Sequence, residues 1–301
     1  RSPKEGPLMS TKKTQRKGKS PEQRRAEVQE LHAQLTAQVQ ELTTSEGWMR
    51  WLRFVQSFHT YSFRNALLIL AQCPHASQIA GYRKWQEHGR QVRKGQKGIK
   101  ILGYSRKKVT ETDSETGEES ERYISRFPVL TVFDVSQTEG EDLPTPGAER
   151  LVGDDEQGIK AAVFEWLRSQ GWTVEEESIP GEVNGTTFMD TRRVVVDSGL
   201  SAAQAAKTAL HEAGHVLLHS DPEIRGERSR DVLEVEAESV AFIVAGALGV
   251  DTSAYSVGYV AGWGEGDPQV LQDTAERVLR AAQTALKGIE AVGVRSEVVG
   301  V

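Results

Sequence analysis

Residues 206–219 read Ala206-Lys207-Thr208-Ala209-Leu210-His211-Glu212-Ala213-Gly214-His215-Val216-Leu217-Leu218-His219. The apolar residues Ala206, Leu210, Val216, Leu217 and Leu218 recur at helical spacing, and Ser201 stands where an N-cap belongs. On a helix, positions i and i+4 share one face, so the imidazoles of His211 and His215 can reach a single metal ion. A catalytic zinc has about three protein ligands and an open position, and brings the pKa of its water to about 7. Glu212 lies beside the two histidines, placed to accept a proton from that water and hand it to a leaving amine. The expected cofactor is therefore Zn2+. His219 continues the series but lies too far along the helix to join the same tetrahedron. It reads as a helix C-terminal histidine facing the dipole.

A His-Glu-x-x-His string alone also occurs in ordinary amphipathic helices, so the reading needs a further ligand. Leu233-Glu234-Val235-Glu236-Ala237-Glu238 opens a second helix, with Glu234 lying 19 positions after His215. Glu234 and Glu238 share one face of it, whereas Val240 and Val244 mark an apolar face. This pattern resembles the gluzincin metallopeptidases, whose second helix carries Glu-x-x-Ala/Ser-Asp. The resemblance implies Glu234 as third ligand and Glu238, in place of the Asp, as the acid that orients a ligand histidine. Glu236 also precedes an alanine and stands as the competing ligand.

Outward from this core the chain divides by charge. Residues 1–140 carry 24 Lys and Arg against 15 Asp and Glu, a net of +9, whereas residues 141–301 carry 13 against 28, a net of −15. Such asymmetry suggests a polyanion-binding half joined to a half with another task. The sequence predicts a disordered basic arm over 1–20, a first domain over 21–140, a linker over 141–152 and a second domain over 153–301. In the first domain, helices are expected from Pro21, with the stripe Leu31, Leu35, Val39 and Leu42, over Trp48–Phe58 and over Tyr61–Gln72. Two strands, Ile99–Thr112 and Arg122–Val135, follow as a ribbon around a polar turn. The second domain reads as a helix over Glu156–Gln170, short strands at Trp172–Glu175 and Arg192–Asp197, and helices ending at His219, over Asp231–Leu248 and over Pro268–Ile289. The fold class is α+β.

The stretch from Gly81 to Lys108 holds ten cations against one acid, Glu87, with Tyr82, Trp85 and Tyr104 interleaved. A basic groove with aromatic platforms is what single-stranded nucleic acid requires. Val92-Arg93-Lys94-Gly95-Gln96-Lys97-Gly98 is a glycine turn able to bring backbone amides and lysines to phosphates. The competing reading is structural. Trp48, Trp51, Phe54 and Phe58 fall at core spacing, and a Lys/Arg-rich ribbon is often a solvated edge that resists aggregation.

Both halves together resemble the ArdC-type antirestriction proteins of mobile genetic elements. The first half carries this in Tyr61-Ser62-Phe63-Arg64-Asn65-Ala66-Leu67-Leu68, Gly81-Tyr82-Arg83-Lys84-Trp85, the Lys-Gly turn, and Val132-Phe133-Asp134-Val135-Ser136-Gln137-Thr138. The second half is similar to that family's zincin domain and to the ImmA/IrrE-like peptidases, through His211–His215 and Glu234–Glu238. The resemblance implies an N-terminal helical and β-ribbon domain that binds single-stranded DNA nonspecifically, through Arg64, Asn65, Arg83, Lys84, Trp85, Arg93, Lys94 and Lys97. It implies a C-terminal zincin-like, gluzincin-type metallopeptidase domain with a protein substrate, and a role in shielding incoming DNA from host endonucleases. Two alternatives remain: a regulatory protease that cleaves a repressor, and a DNA-masking protein whose zinc is structural. One cysteine, Cys73, excludes a disulfide framework and a cysteine-rich zinc ribbon. No apolar run spans a membrane, and residues 1–20 lack the apolar core of a secretory signal, which points to the cytoplasm.

Overall fold

The computed structural model describes residues 19–112, 119–141, 156–253, 255, 257–258 and 267–293. The arm expected at 1–20, except its last two residues, and the linker expected at 141–152, except Glu141, lie outside the described residues. Helix α1 (Pro21–Glu41) starts at a capping box in which Ser20 and Gln23 satisfy each other's backbone amides. Helices α2 (Ser45–Phe58) and α3 (Phe63–Gln72) begin at the caps Thr44 and Ser62. Strand β1 (Ile79–Gly81), the short helix α4 (Tyr82–Glu87), and strands β2 (Arg90–Val92), β3 (Ile99–Leu102), β4 (Ser105–Thr112), β5 (Glu119–Arg126), β6 (Val129–Asp134) and β7 (Thr138–Gly140) complete the first half.

The two long strands expected from the sequence are each broken in two. Gly103 donates its amide to the Pro128 carbonyl at 2.8 Å, but Pro128 has no amide to return. The ladder therefore stops between β3–β6 and the outer ribbon β4–β5. Inward of the break, β6 pairs antiparallel with both β1 and β3. The outer edge of β3 is closed by two side-chain amides of α3. Asn65 exchanges 2.9 Å bonds with the N–H and C=O of Leu102, and Gln72 does the same for Lys100 at 2.8 and 2.9 Å.

In the second half, α5 (Glu156–Ser169) precedes β8 (Thr173–Glu177), β9 (Gly185–Phe188) and β10 (Arg193–Asp197). Strand β10 is central, parallel to β8 and antiparallel to β9, which leaves β9 as an edge. Helices α6 (Ala202–His219), α7 (Pro222–Glu227), α8 (Arg230–Ala247) and α9 (Pro268–Ala291) follow, with Ser201, Asp221, Ser229 and Asp267 as their caps.

One hydrophobic cluster runs through both halves. Trp48 and Trp51 are 0% exposed, and Phe54 stacks on Phe58 with ring centroids 4.5 Å apart. Helix α2 packs on α8: the Trp48 indole donates to Ser239 Oγ at 3.3 Å, and Gln56 donates to the Phe242 carbonyl at 2.9 Å. Gly246 admits that glutamine, because a Cβ there would stand 2.1 Å from Gln56 Cδ. The aromatic helix is thus the seam between the halves. Replacing Trp48 with Ala should cost about 3–5 kcal/mol. Because the core is shared, α3 and α8 should lose hydrogen-exchange protection together. Separate unfolding of the two, with only one sensitive to the substitution, would contradict a common core.

Candidate metal centre

Helices α6 and α8 lie backbone to backbone where the site forms. Gly214 makes this possible, since a Cβ on it would stand 2.9 Å from both the Cα and the carbonyl oxygen of Ala237. This close approach sets His211 and His215 of α6 opposite Glu234 and Glu238 of α8. The two Nε2 atoms lie 3.0 Å apart, and Glu234 Oε2 lies 3.3 Å from His211 Nε2 and 3.6 Å from His215 Nε2. His211, His215 and Glu234 form the one group of potential metal ligands found among the described residues, with donor atoms all within 4.8 Å of one another.

The outer nitrogens of both rings are held. His211 Nδ1 is 3.1 Å from Glu238 Oε2, whose other oxygen meets Lys207 Nζ at 3.0 Å. His215 Nδ1 is 2.9 Å from His219 Nδ1, and His219 Nε2 is 2.9 Å from Glu236 Oε2. Glu236 is 0% exposed and also accepts from Arg228 and Arg277. The Glu236 carboxylate is thus taken up by His219, Arg228 and Arg277, and it is not one of the three grouped donors. His219, read from the sequence as a helix C-terminal residue outside the tetrahedron, ends α6, is buried and links His215 to Glu236. Burial, more than any other influence, pushes the His219 pKa below its usual 6.5. A neutral His219 that donates from Nε2 to Glu236 accepts from His215 at Nδ1, which leaves the His215 Nε2 lone pair facing the cleft.

Burial opposes a charge on His211, but its hydrogen bonds to Glu234 and Glu238 prevail and raise its pKa to about 9. The same bonds from His211 and His215 hold Glu234 well below the usual carboxylate range. The field of the cluster thus favours a positive charge at its centre. Two imidazole nitrogens and a carboxylate oxygen are also a donor set suited to zinc and its first-row neighbours. Glu212 is buried beside them, which raises its pKa, while a 2.6 Å hydrogen bond donated by Thr187 Oγ1 to Oε2 pulls the other way. A cleft of about 510 Å³ opens over the group, walled by β9 through Gly185, Thr186 and Thr187. Gly185 lets the strand come close, since a Cβ there would stand 2.9 Å from Glu212 Oε1. Sequence reasoning missed β9 and Thr187, because 178–190 carries Pro180, Gly181, Asn184 and Gly185 and reads as a loop.

Two family descriptions match the chain: the N-terminal domain of anti-restriction factor ArdC over residues 25–135, and an IrrE N-terminal-like peptidase domain over residues 168–256. The first half of the chain thus matches the ArdC N-terminal description and the second half the IrrE-like one. An uncharacterized protein of Bacillus anthracis is 24% identical across 91% of this chain, which spans about half (52%) of that relative's length. The metal-free crystal structure of antirestriction ArdC from the R388 plasmid is 23% identical, covering 77% of this chain and 86% of that one with a TM-score of 0.45. Its Mn(II)-bound form is 21% identical, covering 76% and 89%, also with a TM-score of 0.45.

In the first half, two of the side chains expected to meet DNA are taken up by the fold. Trp85 is 0% exposed and its indole donates to the Phe133 carbonyl at 2.9 Å, so α4 turns it inward as a core residue with no face left for a base. Asn65 spends both ends of its amide on the edge of β3. Arg64, Arg83, Lys84, Arg93, Lys94 and Lys97 are exposed, the last three around a turn in which Gly95 adopts φ +88°.

Gly214→Ala should favour an isolated helix by about 1 kcal/mol, yet destabilise this protein and weaken metal binding by pushing α8 off α6. Calorimetric titration with zinc, beside denaturant unfolding, checks this. Full metal affinity at undiminished stability would show that the close approach is not required.

Proposed function

We propose that the second half is a zinc-dependent peptidase module and that the first half binds single-stranded DNA without sequence preference, the two together serving an antirestriction role. The observation that supports this best is the convergence of His211, His215 and Glu234 beside a buried carboxylate at the floor of a cleft. His211 and His215 would hold the metal through Nε2, and Glu234 through Oε2. When bound, zinc supplies Lewis acidity and makes a water acidic enough to ionise near neutral pH. Glu212 is the base. Thr187 fixes Oε2, so Oε1 takes the proton and later delivers it to the leaving nitrogen. Burial suits Glu212 to this, because a raised pKa makes a carboxylate a stronger base and its acid form easier to use near pH 7. Glu238 and His219 keep the ligand rings oriented.

Replacing Glu212 with Gln should abolish hydrolysis of a cleaved protein while leaving zinc bound. Unchanged turnover would refute Glu212 as the base, and a variant that still performs the protein's whole role would favour DNA masking with a structural metal. The same titrations report the proton. Metal must displace the His211 proton, whose pKa is about 9, so zinc affinity should rise up to about tenfold per pH unit below pH 9 and level off above it. A pH-independent affinity would mean that His211 is not a ligand.

For DNA, the support is the exposed cation set Arg64, Arg83, Lys84, Arg93, Lys94 and Lys97 in a half of net charge +9, formed by 24 basic against 15 acidic residues. Binding of a labelled oligonucleotide by the full chain should weaken by roughly 0.7 log units per tenfold salt for each phosphate neutralised. Lys94→Ala with Lys97→Ala should lower both affinity and slope. A flat salt response would remove the nucleic-acid reading.

A further inference from the structure

Among the described residues, three of the four exposed aromatic side chains of the first half lie along the outer ribbon; the fourth, Tyr82, is on α4. Tyr104, Tyr123 and Phe127 are 60%, 64% and 64% exposed. The antiparallel register pairs Arg106 with Ser125 and Lys108 with Tyr123. Directly opposed residues share a face, and side chains two apart along a strand return to it. Tyr104, Arg106 and Lys108 of one chain segment and Tyr123, Ser125 and Phe127 of the other therefore stand on a single face. Its first rung is the pair Tyr104–Phe127, with ring centroids 5.6 Å apart. The second is Arg106 and Ser125, with Arg106 Nε donating to Tyr104 Oη at 2.8 Å. The third is Lys108 beside Tyr123, with Lys108 also paired to Glu121 at 2.6 Å. The first and third rungs are ~14 Å apart at the usual strand rise.

Segments 104–109 and 122–127 contain five cations and no acid. A basic edge alone is explained by the need to keep a two-stranded ribbon from pairing with other chains. Three large rings left in water on the same ribbon run against that need, since they invite association. They are explained if the rings are the stacking surface for an unpaired base, which Trp85 is too buried to provide.

We propose that this face of the ribbon is the base-stacking platform for single-stranded DNA. One base lies on Tyr104 and Phe127, another lies on Tyr123, and the intervening backbone phosphate meets Arg106. The proposal rests on the reading that the first half binds single-stranded DNA, and it assigns residues that reading did not include. Stacking on aromatic rings accepts any base and releases no counterions. The rings therefore carry affinity, and Arg106 carries part of the salt dependence.

The test uses the full chain and an oligothymidylate containing 5-iodouracil, followed by salt-dependent anisotropy and photocrosslink mapping. In wild type, crosslinks should fall on Tyr104, Tyr123 or Phe127. The Tyr104→Ala, Phe127→Ala double variant and the Tyr123→Ala variant should each lose roughly tenfold in affinity at unchanged salt slope. Tyr123→Phe should retain binding. Arg106→Ala should lower the slope by about 0.7. Triple alanine replacement of the rings with affinity within twofold of wild type, or crosslinks confined to residues outside the ribbon, would overturn the platform while leaving DNA binding intact. Failure of wild type to bind the oligonucleotide at any salt would overturn both.

Discussion

The contact between Gly214 and the backbone of Ala237 is the constraint on which the second half turns. Two helices with side chains at their crossing are normally held 8–10 Å apart. Here the absence of a Cβ lets α6 and α8 touch through their backbones, which brings short acidic side chains within reach of the imidazoles opposite. Glycine in a helix interior costs about 1 kcal/mol of local propensity, and that cost is accepted at the one turn between the two histidines. Gly185 repeats the device from the other side, bringing β9 against Glu212 so that Thr187 can hold its carboxylate.

The two candidate ligand histidines are supported by two unlike arrangements. On one side His211 is backed by Glu238 and Lys207, a partly open pair that keeps its charges near water. On the other, His215 is backed by His219, Glu236 and two arginines in the interior. A buried carboxylate is tolerated only with its oxygens satisfied, and Glu236 meets that condition through three donors. This interior network also ties α8 to α9, which in turn reaches the first half through the Gln283 amide donating to the His59 carbonyl at 2.6 Å. The site is thus built on the same packing that joins the halves.

Much of this was legible in the residue order. The cap at Ser201, apolar periodicity and the helical spacing of His211 and His215 anticipated the helices and, with the gluzincin-like frame that points to Glu234, the three side chains that the fold brings together. Less legible was anything decided by neighbours distant in sequence. Trp85 looked like a stacking ring because it sits among cations, and only the fold of α4 onto β6 makes it a core residue. Asn65 looked like a ligand-binding amide because an unpaired strand edge 37 residues away cannot be seen in its local sequence. Glu234 and Glu236 differ by two positions on one helix, a rotation of about 200°. One faces the cleft and the other the interior, and the choice between them depends on where Arg228, Arg277 and His219 lie.

The most direct measurement is the metal content of purified protein after zinc loading and dialysis, compared across wild type, Glu234→Ala and Glu236→Gln. Two imidazoles and one carboxylate facing a common point predict one zinc per chain in wild type, its loss in Glu234→Ala and its retention in Glu236→Gln. Loss in Glu236→Gln with full retention in Glu234→Ala, both variants folded, would contradict the account, because the carboxylate behind the histidines would then be the one that binds the metal.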